Sequence, residues 1–248
     1  FSLIVFVVVT LLSVGLIPLV LAFLFLSDKS GRELRASENR YQIQLVQDKA
    51  RQIEMFGKRF TSVVSGLSMA LELSNNSAVI SSAQTEAKLA AILKENPDLL
   101  ALNVKPVNAE PLSVFRSEGL TRLEVDAIST DAAELPRLGK LSVGQPRTIS
   151  SSGQVVMTFS NDVAIDGEKA ATIVAIASLQ GVSQSVVGLT STKEEDLWKA
   201  GLPIVFVVDD SGSTLFHPDP LLAAIKEPMI DLKIVQEWLE SGAQVQSA

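Results

Sequence analysis

From Phe1 to Ser27 the chain has no charged side chain, and apolar residues fill most positions. A bilayer-spanning helix needs roughly 20 apolar residues, so the pattern predicts a retained transmembrane helix over 1–27. Pro18 sits within it and should kink it. A signal peptide is the rival reading. Its apolar region is ~7–15 residues long and ends in a small-residue cleavage site, and Leu26-Ser27-Asp28-Lys29 is a poor one. Beyond Ser27 the pattern becomes amphipathic. Apolar residues fall at Ile53, Phe56, Phe60, Val63, Leu67 and Ala70, with Lys49, Arg51, Glu54, Lys58 and Arg59 at other positions. Alternating steps of three and four make the stripe of an amphipathic helix or a coiled-coil seam. One stalk helix is predicted over 28–75, closed by the cap and turn formers "SNNS" at 74–77. Its stripe must pack on a domain, on a partner copy, or on both.

A shorter helical pattern, "AQTEAKLAAILKENPDL", follows and ends at Pro97, because the residue before a proline leaves the α region. The period then becomes two. "LLALNVK" (99–105) reads as a strand, "PVNAE" as a turn and "PLSVFR" (111–116) as the returning strand. The stretch from there to about Gly139 reads as a polar, acidic connection. "GQPRTIS" (144–150) and "QVVMTFSNDVAI" (154–165) are strand candidates. The "DG" at 166–167 predicts a hairpin into "EKAATIVAIASL" (168–179). "KEEDLWKAG" (193–201) reads as a helix, "LPIVFVVDD" (202–210) as a strand, "SG" as a turn and "STLFHP" (213–218) as a return strand. The unit helix, strand, turn, strand thus occurs twice, which suggests two related modules. The fold class is α+β with antiparallel sheets.

Composition narrows the chemistry. The net charge of −7 argues against nucleic acid or an anionic membrane surface as the main partner. The chain has no cysteine and one histidine, which excludes disulfides, thiolate nucleophiles and histidine clusters. Nucleophile-elbow, P-loop and zinc-protease motifs are absent, so no catalytic residue and no metal or other cofactor is assigned. Paired acids such as Glu194-Glu195 read as a solvated helix face.

"LIPL" (16–19), the long helix behind it, "ENPDLLALNV" (95–104), the "DG" hairpin and "FVVDDSGSTLFHPDP" (206–220) together resemble a double Cache sensor domain. That family forms the extracytoplasmic ligand-binding regions of bacterial chemoreceptors, histidine kinases and diguanylate cyclases. The resemblance covers nearly the whole chain and rests on element order more than on any single motif. It implies two PAS-like modules along one long helix, with the ligand in the membrane-distal one. The expected domains are a transmembrane helix (1–27), a stalk helix (28–75), a distal module (76–185) and a partial proximal module (186–248). After His217 only helical patterns remain, so the second module is expected to be incomplete and any output enzyme to lie beyond residue 248. Residues 28–248 would face the periplasm or the outside of a bacterial inner membrane. The family's amino-acid motif uses tyrosine, arginine and a Trp-Tyr cluster in the distal module. Here the single tyrosine, Tyr41, lies in the stalk, and Trp198 and Trp238 lie late.

In "FVVDDSGSTLFHPDP", Asp209 and Asp210 end an apolar strand, as in a receiver domain. A receiver needs a helix next, whereas Ser211-Gly212 turns the chain back, so a hairpin is expected. His217, without a clustered partner, reads as a structural hydrogen-bonder. For a ligand, alternation along 154–162 sets Val156, Thr158, Ser160 and Asp162 on one face and Val155, Met157, Phe159 and Asn161 on the other. The polar face is the better pocket wall, and the apolar one suits the long helix. Arg116 and Arg147, at strand ends, would grip a carboxylate; the plainer reading is two surface arginines paired with neighbouring acids. The candidate ligand site is Arg116, Arg147, Thr158, Ser160 and Asp162. The expected partners are a small molecule, a carboxylate by this reasoning, membrane lipid at 1–27, and a second copy through the stalk helix. The rival function is a membrane-anchored structural or assembly stalk. A pilin version of it needs a glutamate at the fifth position, where this chain has Val5.

Overall fold

The computed structural model describes residues 2–118, 120–135, 140–149, 151–188, 199 and 204–241; before Lys29, few side chains are described. The chain divides into two units, Phe1–Asp48 and Lys49–Ala248. Helix α1 (Ser2–Ser74) supplies the first and enters the second. Among the described residues no helix is long and apolar enough to cross a membrane. The run 1–27, which carries the membrane expectation, lies with most of its side chains outside them.

Within the second unit, α1 ends at Ser74 and Asn75 adopts a left-handed φ of 45°. Short α2 (Ser77–Ile80) and α3 (Ala83–Glu95) follow, capped by the side chains of Asn76 and Ser82. Antiparallel strands β1 (Leu99–Pro106) and β2 (Leu112–Phe115) come next. The stretch expected to be a polar connection contains α4 (Arg122–Glu134) instead. Its start is a capping box. Thr121 Oγ1 accepts from the Glu124 N–H, and the Glu124 carboxylate accepts from the Thr121 N–H. The "TRLE" signature satisfies two orphan donors, and the polar, acidic residues around it mask the helix that it starts.

The strand expected at 144–150 is realised as the short β4 (Arg147–Thr148), and β3 (Leu141–Val143), which was not among the expected strands, precedes it. Then come β5 (Val155–Ile165), β6 (Glu168–Ser178) and α5 (Gln180–Val187). Asp166 and Gly167 both have positive φ, 53° and 83°, as a two-residue turn between twisted strands requires. The sheet runs β2-β1-β6-β5-β3, with β4 also on β5, and every pairing is antiparallel.

Each face of this sheet has its own cover. Phe60, Val64 and Leu71 of α1 and Leu89 and Leu93 of α3 pack with Leu102, Val104, Phe159, Val163 and Ile173. The Phe60 and Phe159 rings lie 5.7 Å apart. The buried stripe of α1 follows a 3.6-residue period, so Phe60, Val64, Ser68 and Leu71 are the buried positions and Ala70, placed on the stripe by its spacing, is exposed. The opposite face packs Ala101, Val156 and Ile176 against Val125 and Ile128 of α4.

A second, two-stranded sheet pairs β7 (Val207–Val208) with β8 (Thr214–Phe216). Of the strand expected over 202–210, residues 202 and 203 lie outside the described residues and β7 takes two of the others, and the helix expected over 193–201 falls almost wholly outside the described residues. The expected hairpin is present. Asp209 Oδ1 accepts from Ser211 N (2.9 Å), Ser211 Oγ (2.6 Å) and Ser213 N (3.0 Å), and Gly212 has φ 80°. Burial raises the Asp209 carboxyl, but these hydrogen bonds outweigh it and hold it below the usual range. Asp209 therefore organises a turn. His217 is buried, and its Nδ1 accepts the Asp219 N–H at 2.9 Å. Short α6 (Pro220–Ala224) and α7 (Lys233–Glu240) close the described chain. Phe216 joins Ile53 and Phe56 of α1 and Val182 and Val186 of α5 in a third core.

Candidate ligand-binding face

The face of the large sheet under α4 holds the site candidates. Directly opposed residues in antiparallel strands share a face, so the register defines rows across the sheet. One row reads Ser113, Asn103, Val174, Ser160, Ser142. Four of its five side chains are polar. The next row outward reads Lys105, Thr172, Asp162. The next row inward reads Phe115, Ala101, Ile176, Thr158 and is mostly apolar. Polarity on this face is therefore graded along the strands.

Helix α4 lies over that gradient. Its Val125 and Ile128 meet the apolar end. Further along, Ser160 Oγ donates to Ala132 O at 3.2 Å, and Lys105 Nζ donates to Thr130 Oγ1 at 3.3 Å. Ser129, next to Thr130 in sequence, is also buried. Three buried polar atoms here, Asn103 Oδ1, Ser113 Oγ and Ser129 Oγ, have no hydrogen-bond partner. Leaving such an atom unpaired costs about 1–3 kcal/mol, so three of them around one row of one face call for a reason beyond stability.

Four of the five predicted site residues stand on this face. Thr158 and Ser160 are buried in it. Asp162 Oδ1 is held by Thr172 Oγ1 (2.9 Å) and Lys169 Nζ (3.0 Å). Arg147 pairs with Val156 in register and reaches Asp131 of α4 at 2.8 Å. Both partners of that pair are substantially exposed. Arg116 is different. It follows Leu112 and Val114, which pack on the α1 side. Its guanidinium donates to the carbonyls of Leu93 (2.5 Å), Leu99 (2.9 Å) and Asn96 (3.4 Å), closing the end of α3. The structure does not bring the two arginines together.

Asn103, Ser113 and Ser129 were not among the predicted residues. The signal for Asn103 was present, a lone amide inside "LLALNVK". Ser129 lies on a helix that the polar reading of its segment concealed. Thr158 is also held closely by backbone. Gly144 N donates to Thr158 O at 2.8 Å, and a Cβ on Gly144 would stand 2.1 Å from Thr158 Oγ1. Only glycine lets β3 approach here.

At the other end of the face a cleft of about 300 Å³ opens between Asp98, Gln154, Ser178, Gln180 and Gln184. Among the described residues no group of three His, Cys, Asp or Glu side chains is placed to hold a metal ion.

No family model matches the chain, and no curated protein matches it. Solved structures do. The sensory domain of the Campylobacter jejuni chemoreceptor Tlp3 (CcmL) is similar over 85% of this chain and 83% of its own, at 14% identity and TM-score 0.60. The ligand-binding domain of the Pseudomonas aeruginosa PAO1 amino acid chemoreceptor PctC, in complex with GABA, covers 77% and 80% at 16% identity and TM-score 0.56. That of the Pseudomonas fluorescens chemoreceptor CtaA, with L-serine, covers 79% and 78% at 12% identity and TM-score 0.55. The fold is that of chemoreceptor sensory domains. At these identities the likeness concerns the path of the backbone, so the side chains of the sensory-domain fold described here stand on their own geometry.

Proposed function

We propose that the chain is the ligand-sensing region of a membrane-bound bacterial signal-transduction receptor, passing small-molecule binding to a cytoplasmic output. The carrying observation is the row Ser113–Asn103–Val174–Ser160–Ser142, with Asn103 Oδ1 and Ser113 Oγ unpartnered in it and Ser129 Oγ unpartnered on α4, set in a chemoreceptor sensory-domain fold. The ligand lies between this row and α4. Asn103 Oδ1 and the two serine hydroxyls supply hydrogen bonds, and Arg147, at the margin, holds a carboxylate. GABA and L-serine in the similar structures are small amino acids, and a ligand of that class suits this set.

In this reading residues 1–27 form the membrane helix, 28–248 face away from the cytoplasm, 76–185 are the distal module, and 186–248 belong to a second one. The chain acts by binding and has no reaction of its own. A second copy pairs along α1, where Leu34, Tyr41, Met55 and Met69 are exposed at multiples of seven residues.

Thermal shift of the full chain in detergent, with GABA and the common L-amino acids added singly, tests the proposal. A ligand present at 100 times its Kd adds about 2.7 kcal/mol, which raises Tm by several degrees. If none of these compounds shifts Tm even at millimolar concentration, the amino-acid reading fails.

A further inference from the structure

The polar face and the long helix meet at one three-residue segment of β5. We infer that Asp162–Ala164 is the mechanical link between the ligand face and α1, with Ser68 and Glu72 as its positioning residues. The inference rests on the reading of the α4-covered face as the ligand face. On that face the Asp162 carboxylate is held by Thr172 and Lys169. The backbone of the same residue belongs to α1, because its carbonyl accepts from Ser68 Oγ at 2.7 Å. Two residues on, the Ala164 N–H donates to Glu72 Oε1 at 2.9 Å. Ser68 and Glu72 are one helical turn apart and so lie on one side of α1.

Between the two anchors the register of β5 on β6 shifts, at Val163/Ala164. A bulge interrupts the ladder and re-aims backbone groups, and here the groups flanking it are bonded to α1. Glu72 Oε1 also takes Lys140 Nζ at 2.7 Å, and the Lys140 carbonyl accepts from the Asp162 N–H at 3.1 Å. The loop of bonds thus returns to Asp162. A ligand that displaces the Asp162 side chain moves the peptide groups that Ser68 and Glu72 hold. A link of this kind is a coupling free energy between two places and works in both directions.

Hydrogen exchange on the full chain tests this without a ligand. Thr172→Val removes one hydrogen bond to Asp162 on the polar face, at the opposite side of the sheet from α1. A net hydrogen bond of about 1 kcal/mol corresponds to roughly fivefold in a local opening equilibrium. Amides over residues 67–74 of α1 should therefore exchange roughly fivefold faster in this variant, while those of β1 hold their rates. In a Ser68→Ala/Glu72→Gln background, Thr172→Val should add nothing further there. The inference is overturned if Thr172→Val leaves the end of α1 unaffected, accelerates β1 equally, or acts as strongly in the double background. The ligand panel above decides the sensing reading separately, so the two can fail independently.

Discussion

Arg116 and Arg147 stand on opposite faces of the same sheet. Arg116 donates to three carbonyls around the end of α3, while Arg147 makes one exposed ion pair with Asp131. Their substitutions should separate accordingly. Arg116→Ala strands carbonyl groups that a charged donor satisfied, so it should cost about 1.5–3 kcal/mol of stability. Arg147→Ala should cost less than about 1 kcal/mol, as exposed pairs do, and should weaken a carboxylate ligand instead. Denaturant melts of the two variants, with and without ligand, check this. Equal stability losses would show that the face assignment does not govern their roles.

That separation shows what the sequence made legible. The strands over 99–105 and 154–179, the Asp166-Gly167 turn and the helix ended by Pro97 were readable because each is dictated locally, by alternation, by positive φ or by the restriction a proline places on the residue before it. The side of the sheet on which Arg116 falls is not a local property. It depends on how β2 registers against β1, with Ala101 opposite Phe115. The polar row crosses five strands distant in sequence, so Asn103, Ser113 and Ser142 join Ser160 only once the sheet exists. Ser129 needed α4 to be recognised as a helix, and Thr121 and Glu124 marked its start.

The approach of β3 to Thr158 gives a second prediction. Gly144→Ala would set a methyl 2.1 Å from Thr158 Oγ1, and such overpacking typically costs about 1–3 kcal/mol. Thr158→Ala removes the obstructing atom. The double variant should be more stable than the sum of the single losses predicts, and a double-mutant cycle measures the difference. Strict additivity would mean the two positions do not touch.

Acid should loosen the start of α4. Hydrogen bonds from the Thr121 N–H, then from the Ser151 and Thr121 hydroxyls, lower the Glu124 pKa from 4.5 to about 2. Glu72 is also lowered, by Lys140 and then by the Ala164 N–H. A depressed carboxylate adds stability above its unfolded pKa, and that contribution disappears as pH falls through the folded one. Stability should therefore decline from about pH 4.5 toward 2, and Glu124→Gln should flatten part of that decline. At neutral pH, Thr121→Ala should cost about 1 kcal/mol through loss of the cap. An unchanged acid profile in Glu124→Gln would contradict the capping-box account.

The Asp209 turn predicts a contrast between two substitutions. Asparagine keeps an oxygen to accept from Ser211 and Ser213, so Asp209→Asn should stay folded with little loss. Asp209→Ala removes the acceptor for both N–H groups and should cost about 1–2 kcal/mol. Thermal melts distinguish them. A large loss in both variants would mean that the charge, not the turn, is what the position needs.

The central claim is that Asn103 is left unpaired because a ligand completes it. Leucine has nearly the same shape, with no polar atom to bury. Asn103→Leu should therefore raise the ligand-free Tm, since an apolar side chain relieves the unpaired acceptor. The same substitution should abolish the Tm shift produced by whichever of GABA or the L-amino acids stabilises the parent chain. A variant that melts lower without ligand yet keeps the full ligand shift would contradict the account, because Asn103 would then be serving the fold and not the ligand.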